Sequence, residues 1–188
     1  MRKCVLWLIW QNVESRQNYH VGSLYHDETG YYFEYEKQKS HRGLQAALND
    51  GYRPHLAFPD LKKAYYSPFL FSAFSRRLPS KSRPDFTEVL KRHGLPKDYT
   101  DMDLLRATGG RLATDSYEFV SPIFTNGNRF GFDFFVMGWR YYDGESLLGQ
   151  LNKESQILLK KEPESKYDPF AIKVLTEDEK LFASVKMA

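Results

Sequence analysis

Any catalytic chemistry in this chain would have to rest on a few side chains: Cys4, the five histidines His20, His26, His41, His55 and His93, and the close pair Asp101 and Asp103. Their spacing argues against it. One cysteine among scattered histidines offers no zinc-ligand cluster, and a lone thiol cannot close an intrachain disulfide, which fits a reducing cytoplasm. Cys4 falls in an apolar strand with no obvious basic partner, so its thiol is expected to be inert. Asp101 and Asp103 are two residues apart and would diverge on a helix, so capping explains Asp101 better than acid–base work. The histidines read as surface or turn residues. Gly109-Gly110 invites a phosphate-loop reading, but no lysine follows at the required distance and no kinase-type catalytic loop comes after it; a helix C-cap and turn is expected. Without a Walker-type loop, a nucleophile elbow or a zincin helix, the chain is expected to be a non-enzyme with no cofactor and no structural metal.

The other pattern with chemical content is charge. Overall, 27 Lys/Arg against 24 Asp/Glu leave only +3, which by itself names no partner. Residues 1–120 carry 18 basic and 14 acidic side chains, whereas residues 121–188 carry 9 and 10. From Leu61 to Lys97 nine bases (Lys62, Lys63, Arg76, Arg77, Lys81, Arg83, Lys91, Arg92, Lys97) stand against only Asp85 and Glu88, interleaved with Phe69, Phe71, Phe74 and Phe86. This stretch reads either as a solvated helix surface or as a dock for phosphates or an acidic protein face. On the second reading Arg76, Arg77, Phe71, Phe74, Lys81 and Arg83 bind the partner.

The elements that must position these groups follow from apolar periodicity. A chain of 188 residues, 41% hydrophobic and 16% aromatic, suits one or two compact domains, and no apolar run approaches the roughly 20 residues of a membrane-spanning helix. Cys4 to Trp10 is apolar at both parities and predicts a strand buried on both faces. Tyr19–Tyr25 and Tyr31–Tyr35, joined by Asp27-Glu28-Thr29-Gly30, predict a hairpin or meander. Ser67-Pro68 followed by Leu70, Phe71, Phe74 and Leu78 predicts a helix ending at Pro79. A second runs from Pro84 or Asp85 to Gly94, and a third starts at Asp101 and carries Leu104 and Leu105. Beyond Pro122 the turn cluster Thr125-Asn126-Gly127-Asn128 marks a boundary. Strands are then expected over Phe130–Trp139, Gln156–Lys160, Ala171–Val174 and Leu181–Val185, with Gly144, Pro163 and Pro169 in connections. The fold class is therefore an α+β module over residues 1–120, antiparallel strands then short helices, and a small, mainly β domain over 125–188, a twisted sheet or partly closed barrel.

The second part, with VMGWRYYDG at Val136 to Gly144 and LLKKEPESKYDPFAIKV at Leu158 to Val174, resembles the HIRAN domain, a small OB-like β-domain. The resemblance implies capture of single-stranded DNA, particularly a free 3′ end, in a shallow aromatic pocket. The matching positions are Arg140, Tyr141, Tyr142, Tyr167 and Asp168. Within that implication Tyr141 or Tyr142 and Tyr167 sandwich a base through its π-face, Arg140 bonds a phosphate, and Asp168 accepts a hydrogen bond from a terminal 3′ hydroxyl. The alternative, that Tyr-Asp-Pro is an ordinary turn and the tyrosines are core, stands beside it. Such domains continue past their last strand into a helix, whereas this chain ends at Ala188, so the domain is expected to be shortened.

The first part, about residues 3 to 115, resembles the N-terminal subdomain of HipA-type kinases. The similarity rests on Val21-Gly22-Ser23-Leu24, PHLAFPDL at Pro54 to Leu61, SPFLFSAFSRRLP at Ser67 to Pro79 and DLLRATGG at Asp103 to Gly110. It implies a cytoplasmic antitoxin or accessory subunit that regulates a separately encoded HipA-family kinase. The reading from a different class is a DNA 3′-end-binding adaptor in repair or phage defence, with no membrane partner in either case.

Overall fold

In the computed structural model, residues 4–38, 40–126, 129–131, 134, 136–165 and 171–185 are described. The chain divides into two compact units, Met1–Phe132 and Asp133–Ala188.

The first unit is built on a five-stranded antiparallel sheet. Its strands are β1 (Cys4–Gln11), β2 (Asn18–Asp27), β3 (Gly30–Tyr35), β4 (Tyr65–Ser67) and β5 (Tyr117–Val120), in the spatial order β4-β3-β2-β1-β5. The tight β2–β3 turn sets Asp27 opposite Gly30 and fixes the register, so that Leu6, Leu24, Phe33 and Tyr65 form one cross-strand row. Phe119, Leu8, Gly22 and Tyr35 form another. Four short helices accompany the sheet: α1 (Leu44–Asn49), α2 (Ser72–Ser75), α3 (Phe86–Arg92) and α4 (Asp101–Thr108). Leu44, Ala47, Tyr52, Phe58, Leu70, Phe74, Met102 and Leu105 close over Leu6, Leu8, Leu24, Phe33 and Phe119 in one core. Phe58 is its centre, with ring centroids 4.5 Å from Phe33, 5.1 Å from Phe74 and 5.2 Å from Phe71. Truncating such a buried ring costs about 3–5 kcal/mol. A short hairpin, β6 (Phe124–Asn126) with β7 (Arg129–Gly131), completes the unit.

Several expectations are corrected here. β1 is an interior strand between β2 and β5, with Leu6 and Leu8 in the core and Cys4 and Trp10 against it; outside that core Ile9 is 3% exposed, but Val5 and Trp7 are only half-buried, so the expected burial of both faces is partial. The helix expected from Ser67 shrinks to the single turn α2, because Ser67 belongs to β4 and Phe71 and Phe74 are spaced to reach Phe58 rather than to extend a helix. The cap of α4 is Thr100, not Asp101. Thr100 accepts from the Asp103 amide at 3.1 Å while the Asp103 carboxylate accepts from the Thr100 amide at 3.0 Å. As expected, the glycine pair ends that helix, with Gly109 as its left-handed C-cap and Gly110 also at positive φ. His20 and His26 are strand residues, stacked on Trp7 and Tyr31 at 4.6 and 4.2 Å. Cys4 does have a basic neighbour: Arg106 Nη2 donates to its Sγ at 3.1 Å. Burial outweighs that cation, and the thiol is pushed above its ordinary value.

The second unit contains α5 (Gly144–Leu147) and a three-stranded antiparallel sheet of β8 (Ile157–Lys161), β9 (Ile172–Thr176) and β10 (Leu181–Val185), with β9 in the middle. Leu147, Val174, Phe182, Ala183 and Val185 form its core, with Phe134, Trp139, Leu151 and Ile172 against them. Among the described residues of the strand expected over Phe130–Trp139, Phe130 and Gly131 belong to β7, in the first unit, and Met137 is bridged to Ser184. Gly144 opens a helix instead of a plain connection. All five residues of the edge strand β8 are exposed, among them Ile157, Leu158 and Leu159. Among the described residues, no helix is long and apolar enough to cross a membrane.

Candidate nucleic-acid interface

The segment Met137 to Leu147 lies along β10 and is fastened to it at successive points. Met137 and Ser184 exchange both backbone hydrogen bonds, at 2.7 and 2.9 Å. The chain then reverses at Gly138, whose φ of +71° suits glycine and whose carbonyl accepts from the amides of Tyr141 (2.7 Å) and Tyr142 (3.1 Å). Trp139 meets Phe182 edge to face, with centroids 5.9 Å apart. The Asp143 amide donates to the Leu181 carbonyl at 3.4 Å, and Leu147 enters the core. The turn is thus anchored before and after its tip.

Burial along the tip follows from this fastening. Trp139 and Tyr142 are half-buried, while Arg140 is exposed and Tyr141 is 92% exposed. A tyrosine so open contributes little to folding, so Tyr141 is not a core residue. Its chain neighbour Arg140 is exposed on the same tip. Chemically the pair offers a π-face for a base and a forked donor for a phosphate. Tyr167 and Asp168, the other two sequence-predicted residues, lie outside the described residues. The structure therefore brings Arg140, Tyr141 and Tyr142 together in one turn. The sequence reading included Gly138, Trp139 and Gly144 only within the stretch VMGWRYYDG, and Gly144 as a connection, without a role of their own.

The basic segment of the first unit is organised differently from the expected dock. Arg77 is only 6% exposed: Nη1 donates to the Gly110 carbonyl at 3.0 Å, Nη2 pairs with Asp115, and Cζ stands 5.3 Å from the Tyr117 ring centroid. Phe74 is 1% exposed and Phe71 is half-buried against Phe58. These residues serve the core, so as partner-binding groups Arg77 and Phe74 are corrected. Arg76, Lys81 and Arg83 are exposed. Lys81 pairs with Asp101 at 3.4 Å and lies 5.7 Å from the Tyr99 ring centroid. Arg83 forks onto Asp85 at 2.5 and 2.7 Å, and that hydrogen bonding holds the Asp85 carboxyl below its ordinary value. Lys91 pairs with Glu88 at 2.9 Å. Acids from within and beyond the run thus take up much of its charge. Among the described residues, no group of three or more His, Cys, Asp or Glu side chains gathers to hold a metal ion.

Residues 130–182 match the family model of the HIRAN domain. The match covers both the Arg140-Tyr141-Tyr142 turn and the positions of Tyr167 and Asp168. No curated protein and no solved structure matches the chain.

Proposed function

We propose that this protein is a non-catalytic adaptor that holds single-stranded DNA at a free 3′ end, with Arg140, Tyr141, Tyr142, Tyr167 and Asp168 as the binding residues. The observation that carries the reading is the 92% exposure of Tyr141 beside exposed Arg140, on a turn fastened at both ends, within the stretch that matches the HIRAN domain. Stacking on tyrosine is tolerant of base identity and contributes about 1–3 kcal/mol per base, so sequence preference is weak. Discrimination for ends rests on Asp168, because an internal nucleotide has no free 3′ hydroxyl for a carboxylate to accept from.

For a kinase-regulating role the comparisons supply no relative, and the inward placement of Arg77 and Phe74 removes two of the six residues on which it was built.

The test is fluorescence anisotropy with 5′-labelled oligonucleotides that differ only at the 3′ terminus. Tighter binding to a single-stranded 3′ hydroxyl than to a 3′ phosphate or a blunt duplex is expected. Tyr141→Ala and Arg140→Ala should weaken binding, and Asp168→Ala should erase the terminal preference. Equal binding to blunt duplex and single-stranded end would rule the reading out.

A further inference from the structure

Inward and outward residues alternate in pairs along the tip: Trp139 in, Arg140 and Tyr141 out, Tyr142 in. Each inward ring is seated on a glycine. A Cβ on Gly138 would stand 2.7 Å from Tyr142 Cε2, and a Cβ on Gly144 would stand 2.4 Å from Trp139 Cδ2 and 2.7 Å from Cε2. Only a backbone without a side chain allows Trp139 that close. Phe182, which is 4% exposed and part of the core, also meets the indole, edge to face.

We infer that the clasp of Trp139 by Gly144 and Phe182 is a positioning element for the DNA interface, one that sets the direction in which Arg140 and Tyr141 face the nucleotide. Trp139 does this without touching the ligand. The proposal rests on the DNA-end reading and adds to it the residues that preorganise the site. Two outward side chains on a free loop would have to be ordered on binding. Here the residues on either side of them are already fixed, Trp139 through its ring and Tyr142 through its ring and the hydrogen bond that its amide donates to the Gly138 carbonyl. Gly144 also begins α5, whose Leu147 is buried in the core, so the clasp ties the tip to a helix anchored in the unit's core.

The experiment uses the whole chain and a 5′-labelled single-stranded oligonucleotide with a free 3′ hydroxyl, together with amide hydrogen exchange. Gly144→Ala and Trp139→Ala should each weaken binding about tenfold or more, while Trp139→Phe, which keeps a ring on the glycine, should stay within about threefold. In Gly144→Ala the amides of Tyr141 and Tyr142 should lose protection while those of Val174 and Ala183 keep it. Should the variant lose protection throughout β9 and β10, the comparison of Trp139→Phe with Trp139→Ala decides. Wild-type affinity in Gly144→Ala with an altered tip, or equal losses in Trp139→Phe and Trp139→Ala, overturns the positioning role. Failure of the unaltered protein to bind any 3′ end overturns the DNA-end reading and the clasp's role in it, an outcome distinct from the other two.

Discussion

The guanidinium of Arg77 is paired with the carboxylate of Asp115, 38 residues further along the chain, and this pair pins the loop after α4 to the turn after α2. The adjacent Arg76 is exposed. Two neighbouring arginines in one basic run therefore have opposite consequences. Arg77→Ala should lower the unfolding free energy by about 3 kcal/mol, the lower end for a broken buried pair because the Asp115 side chain keeps 28% exposure. Arg76→Ala should change it by less than about 0.5 kcal/mol. Urea denaturation of the two single variants checks the contrast, and similar effects in both would refute the assignment of Arg77 to the interior.

Acidification should weaken the first unit through its buried histidines. His20 stacks on Trp7 and its Nε2 lies 3.0 Å from the Gly22 carbonyl and 3.1 Å from Ser23 Oγ. Burial lowers its pKa below the ordinary 6.5, more than nearby Glu36 and the Gly22 carbonyl raise it. His55 is lowered likewise, by burial and then by Arg77. The unfolded chain consequently takes up these protons first. Stability should be full above about pH 6.5 and decline as pH falls below it, until the folded-state values are passed. Unfolding curves at a series of pH values should show a shallower slope for His20→Gln than for the wild type.

The α4 cap makes a second, more acidic prediction. Burial of Asp103 favours its neutral form, but hydrogen bonds from the Thr100 side chain and backbone, with Arg106 nearby, outweigh this and hold the carboxyl below its usual 3.8. Its contribution is present above that value and is lost as pH falls through the depressed one. Thr100→Ala should cost about 1 kcal/mol at neutral pH. Asp103→Asn should narrow the stability gap to wild type as the solution is taken well below pH 3.8, measured by thermal melting across that range.

Salt should affect DNA binding only mildly. Residues 121–188 hold 9 basic and 10 acidic side chains, and Lys160, Lys173 and Lys180 are already paired with Glu179, Glu162 and Asp178. Arg140 is the cation at the tip. If one phosphate is neutralised there, log K should fall against log salt with a slope of about −0.7, and Arg140→Ala should remove most of it. A slope several times steeper would move the main contacts to the basic run of the first unit.

Elements defined by local grammar were legible in the sequence. The Asp27–Gly30 turn, the glycine after α3, the end of α4 at Thr108 and the three C-terminal strands all have punctuation within a few residues. What escaped reading depended on distant partners. The spacing of Phe71, Phe74 and Leu78 mimics a helix because all three pack against one aromatic core, and nothing near Arg77 announces Asp115. The helix α1 and the strand β5 are too short to carry a periodic signal of their own. For the site, the tyrosine-rich turn was visible as a run of residue types. The choice of Tyr141 as the exposed ring and Tyr142 as the seated one came only from the geometry around Gly138.

The pairing of β1 with β5, in which Trp7 stands opposite Val120, has a consequence for synthesis. β2 follows β1 from the ribosome at once, but the other edge of β1 stays bare until residue 120 has emerged, on the order of 5–20 s later at ordinary elongation rates. During that interval the backbone of Leu8 and Ile9 is open to pairing with the wrong strand. In the second unit β8, β9 and β10 are sequential neighbours, so it is complete soon after its residues appear. The second unit should mature quickly, whereas the first carries the greater need for a chaperone.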